Sequence, residues 1–69
     1  MSSIEIVVNG EPRELPAGSS AQDLLASMGL AERRVAVEVN REIVPRSRYQ
    51  EHRLASGDQV EVVQAIGGG

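Results

Sequence analysis

Apolar and polar positions alternate with period two at the start of the chain. Ile4, Ile6 and Val8 fall on one side and Glu5, Val7 and Asn9 on the other, the pattern of a half-buried strand. Asn9-Gly10 supplies the positive φ angles of a two-residue hairpin turn, and Arg13-Glu14-Leu15 is predicted to return as a second strand, with Pro12 pushing it toward a sheet edge. Pro16-Ala17-Gly18 then breaks the extended run. Ser19-Ser20 offers helix N-caps, Ser20 with Asp23 as its capping-box partner, and Ala21, Leu24, Leu25 and Met28 form one helical stripe that ends before Gly29, a left-handed C-cap residue. Val35, Val37 and Val39 predict a third strand, Arg41 to Val44 a turn and a short fourth, and Arg46-Ser47-Arg48-Tyr49 a single helical turn or irregular crossing. Ser56-Gly57-Asp58 marks a turn before the last strand, Gln59 to Gln64. The helical stripe is assigned to the core, since a lone helix in a small domain buries its apolar face against the sheet.

Sixty-nine residues allow a single α+β unit with a small core, stabilised by roughly 3–5 kcal/mol. The sequence divides into a folded part at residues 1–64 and a flexible tail at 65–69. The chain has no cysteine, so disulfides, thiolate metal ligands and a thiol nucleophile are excluded, and any sulfur chemistry must use sulfur from outside. With a net charge of −3 and Tyr49 as the only aromatic, the chain lacks the basic field and stacking platform of a nucleic-acid binder. The ring of Tyr49 is assigned to sealing the core. His52 has no second histidine or cysteine with which to share a metal, so no metal site is expected. The apolar runs are too short to span a bilayer and Met1-Ser2-Ser3 leads straight into a strand, so a cytoplasmic protein without membrane attachment is expected.

The chemistry is concentrated in Ala65-Ile66-Gly67-Gly68-Gly69. Without Cβ atoms the glycines can lie extended in a slot too narrow for side chains, leaving the last acyl group open to approach. The carboxylate of Gly69 is ionised at neutral pH and able to attack the α-phosphorus of a bound nucleotide, giving an acyl-adenylate. A glycine run also fits a linker or an inert terminus. No nucleophile and base are evidently paired elsewhere, so an enzyme in its own right fits poorly.

Several segments carry a family resemblance: Val8-Asn9-Gly10, Ala17-Gly18-Ser19-Ser20, Leu24-Leu25, Val39-Asn40 with Ile43-Val44-Pro45-Arg46, Gly57-Asp58, and the closing Gly68-Gly69. In these the chain resembles the ThiS family, sulfur carriers of thiamine biosynthesis with a ubiquitin-like β-grasp fold. The segment from Asn40 to Arg46 and the double-glycine end are most specific together. The resemblance implies a mixed sheet of four to five strands packed on one helix. It also implies a carrier rather than a catalyst: a ThiF-like enzyme binds MgATP and adenylates Gly69, sulfur from a cysteine desulfurase persulfide displaces AMP, and the resulting thiocarboxylate donates sulfur to a ThiG-like thiazole synthase. No cofactor would be bound by the carrier itself. Gly69 would carry the acyl group, Gly67 and Gly68 would keep its approach clear, and Ile66 would anchor the tail's root as it threads partner active sites. β-Grasp topology further implies that Glu5, Val7, Glu38, Glu61 and Val63 share the sheet face opposite the helix, a docking face suited to a basic partner surface. The MoaD family of molybdopterin synthesis, a carrier for another sulfur pathway, a protein tag, and an interaction module with an inert tail stay open as alternatives.

Overall fold

The computed structural model describes residues 2–64. Its elements run β1 (Ser3–Val8), β2 (Glu11–Pro16), α1 (Ala21–Ser27), β3 (Val35–Val39), β4 (Glu42–Val44), a 3₁₀ turn at Arg46–Arg48, and β5 (Gln59–Gln64). The strands form one mixed sheet in the order β2-β1-β5-β3-β4, with β1 and β5 parallel and the other neighbours antiparallel. The last strand is thus the central one. This is the α+β β-grasp arrangement expected from the sequence, with five strands.

The opening hairpin turns on Asn9 and Gly10, with φ of 51° and 84°, the pair of positive angles that matches the twist of the flanking strands. β2 runs through Pro12 and ends at Pro16, longer than the Arg13–Leu15 segment expected from the sequence. The register explains this difference. Ala17 N–H donates to Ser2 C=O (3.2 Å), and hydrogen-bonded pairs alternate along an antiparallel ladder. Pro12, opposite Val7, and Pro16, opposite Ser3, both fall on the alternate positions whose backbone points away from β1. No ladder donor is lost, and β2 lies at the sheet edge as Pro12 requires.

Helix α1 is closed at both ends by local sequence. Ser20 Oγ accepts from Asp23 N–H (3.1 Å) while Asp23 Oδ2 accepts from Ser20 N–H (2.9 Å), the reciprocal capping box. The next two free donors, Ala21 N–H and Gln22 N–H, reach the carbonyls of His52 (2.9 Å) and Tyr49 (3.1 Å), so the crossing before β5 is docked on the helix start. At the far end Gly29 takes φ 75°, and Gly29 and Leu30 N–H donate to Ala26 and Leu25 C=O (3.1 and 2.8 Å).

The core lies between this helix and one sheet face. Ala21, Leu24 and Leu25 pack with Ile6, Val8, Val37, Val39, Val60 and Val62, and Leu15, Val44, Tyr49 and Leu54 close the margins. Tyr49 is buried, as its core assignment requires, and its hydroxyl donates to Val35 C=O (3.1 Å). No helix among the described residues is long and apolar enough to cross a membrane.

Candidate functional site: the end of the central strand and the open sheet face

Ile66, Gly67, Gly68 and Gly69 lie outside the described residues. What the fold does determine is where the chain leads into them: β5 ends at Gln64, in the middle of the sheet. On one side β5 pairs with the whole of β3, from Val39 opposite Val60 to Val35 opposite Gln64. On the other it pairs with β1 only at Val7–Gln59 and Val8–Val60.

Alternation then decides the faces. Ile6, Val8, Val37, Val39, Val60 and Val62 point to the helix, so Glu5, Val7, Glu38, Glu61 and Val63 point away from it, as expected. The structure groups four of these five. Glu38 sits directly opposite Glu61, and Val63 opposite Ala36 nearer the tail, while Val7 lies beside Gln59 at the start of β5 and lines one depression with Glu38 and Glu61. Glu5 is set apart. Its carbonyl accepts from Gly57 N–H (2.8 Å) before β5 begins, and its strand partner is Glu14. The parallel register of β1 against β5 causes this offset, because the first residues of β1 lie below the start of β5.

One contributor was missed in the sequence. Ile43, opposite Glu38, is 74% exposed, more than Val63 at 60%. A three-residue strand carries too little periodicity to tell whether Ile43 or Val44 faces inward. The pairing of Val44 with buried Val37 decides it.

The face is therefore an apolar set, Ile43, Ala36 and Val63, beside the carboxylates of Glu38 and Glu61. Like charges directly opposite each other on adjacent strands destabilise a sheet, by up to about 1 kcal/mol. Glu5 opposite Glu14 repeats the pattern. Among the described residues the one ion pair is Arg48–Glu51 at 3.6 Å, near Ile43 at the margin of this face; Arg41 lines the same depression as Glu38 and Glu61 without pairing with either. Such an arrangement favours contact with positive charge.

The described residues hold no group of three or more histidine, cysteine or acidic side chains able to bind a metal. His52, Glu51 and Arg48 line an open depression with Ile43 and Pro45 but bring no nucleophile to it. The helix start, whose first donors are all taken by Ser20, His52 and Tyr49, is not an anion site. The Ser20 backbone N–H, then the Ser20 hydroxyl, hold the Asp23 carboxyl below its ordinary 3.8; desolvation opposes them and the charge of Arg53 adds to them. The role of Asp23 is to cap the helix.

The comparisons with known proteins agree with this geometry. The sequence profile of the ThiS family matches residues 6–69, through the closing glycines. The sulfur carrier protein ThiS of Escherichia coli is 30% identical over 66 residues, covering 96% of this chain and 100% of that protein. A thiazole synthase of Paramagnetospirillum magneticum is 44% identical over 66 residues, and there the chain spans only 20% of the relative's length. The crystal structure of the thiamine biosynthesis protein ThiS from Geobacter metallireducens superposes with a TM-score of 0.77 at 29% identity, over 96% of this chain and 100% of that one. Matched through its closing residues by the family profile and end to end by a relative of its own size, the chain belongs to the ThiS family.

Proposed function

We propose that the protein is a sulfur carrier of thiamine biosynthesis, with a β-grasp domain at residues 1–64 that presents residues 65–69 as a reactive tail. The observation that carries this reading is the family match running to Gly69. The Gly69 carboxylate attacks the α-phosphorus of MgATP on a ThiF-like adenylating enzyme and pyrophosphate leaves. A persulfide sulfur, supplied by a cysteine desulfurase, then displaces AMP. Thiol cleavage of the resulting acyl disulfide leaves the thiocarboxylate, which a ThiG-like thiazole synthase consumes. The 44% identity to part of a thiazole synthase supports that acceptor. The catalytic groups belong to the partners; the chain is their co-substrate.

Extended, residues 65–69 reach at most about 17 Å, enough to thread a narrow channel to a nucleotide. Ile66 anchors the root of the tail, Gly67 and Gly68 pass the constriction, and Gly69 carries the acyl group. The domain docks through Val7, Glu38, Glu61 and Val63, joined by Ile43, on a basic and partly apolar partner surface, with Glu5 at the far margin. The like-charged Glu38–Glu61 pair beside exposed Val63 and Ile43 supports this face over the helix side. Adding one alanine after Gly69 moves the carboxylate and puts a side chain where none fits. ATP–pyrophosphate exchange is then lost while the melting temperature is unchanged; an extended chain that is still adenylated overturns the proposal.

A further inference from the structure

The central strand is held at its two ends by two asparagines, acting on opposite edges. At its start Asn40, in the β3–β4 turn, accepts through Oδ1 from Gln59 N–H (3.0 Å). Its own backbone N–H donates to Gln59 C=O (2.7 Å), and its Nδ2 donates to Asp58 (3.1 Å). At the far end Asn9, in the β1–β2 turn, accepts through Oδ1 from Val62 N–H (2.9 Å) and donates through Nδ2 to Val62 C=O (3.1 Å). Its backbone N–H also donates to Val60 C=O (2.9 Å).

The register shows why the second clasp is needed. β1 accompanies β5 only as far as Val8 beside Val60, and then reverses into the hairpin. Glu61 to Gln64 therefore have β3 on one edge and no strand on the other. The N–H and C=O of Val62, a residue only 7% exposed, point into that vacated lane. A carboxamide has the same donor and acceptor as a peptide group, so the Asn9 side chain takes the place of the strand residue that β1 no longer supplies. Among the described residues it is the last hydrogen-bonded contact on that edge before the chain runs on to Gly69.

We propose that Asn9 is a positioning residue for the acyl end: its carboxamide fixes the line along which β5 delivers the tail to the adenylating enzyme. The proposal rests on the carrier reading above. The residues from Val63 to Gly69 span at most about 25 Å when extended. A tail of that reach places its carboxylate productively more often when its root cannot splay from the sheet.

The turns provide a matched test. Asn9 and Asn40 both have φ of 51°, so glycine at either position keeps the turn and removes only the side-chain clasp. The measurements are amide exchange at Val62 on the free chain, and ATP–pyrophosphate exchange with the adenylating enzyme, on full-length protein below its melting temperature. Asn9→Gly is expected to speed Val62 exchange about tenfold. It is expected to lower kcat about fivefold, the equivalent of one net hydrogen bond, with KM for the carrier held within about twofold. Asn40→Gly loses a similar amount of stability but leaves Val62 exchange and kcat unchanged. Asn9→Asp keeps the acceptor toward Val62 N–H but sets a carboxylate oxygen against Val62 C=O, and behaves like Asn9→Gly. Loss of Val62 protection with kcat intact, or equal kcat losses in the Asn9 and Asn40 variants, overturns the proposal by reducing the clasp to a stability element. Unaltered Val62 exchange in Asn9→Gly overturns it at the level of structure. A wild-type chain that is never adenylated is a distinct result, which removes the carrier reading and this proposal together.

Discussion

Tyr49 offers a test in which ring and hydroxyl can be separated. β4 ends at Val44 opposite Val37, so the carbonyl of Val35, two residues earlier on the same edge of β3, lies beyond its reach. The Tyr49 hydroxyl fills that place with a 3.1 Å hydrogen bond, while the ring, in a side chain only 5% exposed, closes the margin of the core. Tyr49→Phe removes the bond and leaves a half-buried acceptor without its partner, which costs about 1–1.5 kcal/mol. For a domain of this size that lowers the melting temperature by about 4–12 °C. Tyr49→Ala removes the ring as well, at about 3–5 kcal/mol, comparable to the whole stability available to so small a fold. Urea titration followed by far-UV circular dichroism measures both, since the only aromatic fluorophore is the residue being changed. The Phe variant is expected to fold fully at 25 °C and to be adenylated with wild-type kinetics, and the Ala variant to be largely unfolded. A Phe variant as stable as wild type would show that water serves Val35 equally well. A Phe variant of full stability but impaired adenylation would instead give the Tyr49 hydroxyl a role in partner recognition.

Further outcomes follow from the open face, the helix cap and the second turn. Val63→Asp is expected to weaken binding to the adenylating enzyme about tenfold in calorimetry, and Glu61→Arg to weaken it as well while raising stability by about 0.2–1 kcal/mol, because it turns a like-charged pair with Glu38 into an opposite one. Unchanged affinity for both removes the docking face. The carboxyl of Asp23 is held below its ordinary 3.8, so its contribution to stability is complete above that value and is lost as pH falls through the folded-state value. Asp23→Asn should accordingly show a flatter loss of stability than wild type between roughly pH 5 and pH 2, and equal slopes would contradict the capping role. Arg41 holds a φ of 71° in the β3–β4 turn, and Arg41→Gly should stabilise the domain by about 0.5–1 kcal/mol in the same urea titration; a loss of stability would show that its side chain is needed where it is.

Much of the fold was legible because each element carries its own local code. The valine alternation of β3, the Ser20–Asp23 box and the Asn9-Gly10 turn each specify one conformation without reference to the rest of the chain. What could not be read depends on register. Whether Pro12 and Pro16 interrupt β2 turns on which edge of the strand their nitrogens face, and that is settled only by the pairing with β1. Whether Ile43 or Val44 is exposed turns on the partner of Val37. Glu5 shares a face with Glu61 by alternation, yet the parallel offset of β1 moves it away from the tail end. Asn9 was legible as a turn residue, but its side chain acts on Val62, distant in sequence, and no local pattern records that contact. The closing glycines suggest an accessible acyl end, whereas the sulfur chemistry and the partners proposed for it come from the family resemblance rather than from any local pattern of this chain.

That the acyl end at Gly69 is the reactive group is tested most directly by the mass of the C-terminal fragment from protein isolated from its native host. Sulfur in place of oxygen gives nearly the same nominal shift as oxidation of a methionine, so the whole-chain mass alone is ambiguous while Met1 and Met28 are present. Tryptic cleavage after Arg53 resolves this, because the fragment from Leu54 to Gly69 contains no methionine or cysteine. This fragment is expected to carry one sulfur in place of one oxygen, and the shift to disappear when the adenylating enzyme is deleted. A fragment bearing only an ordinary carboxylate while the cells are actively making thiamine would contradict this expectation.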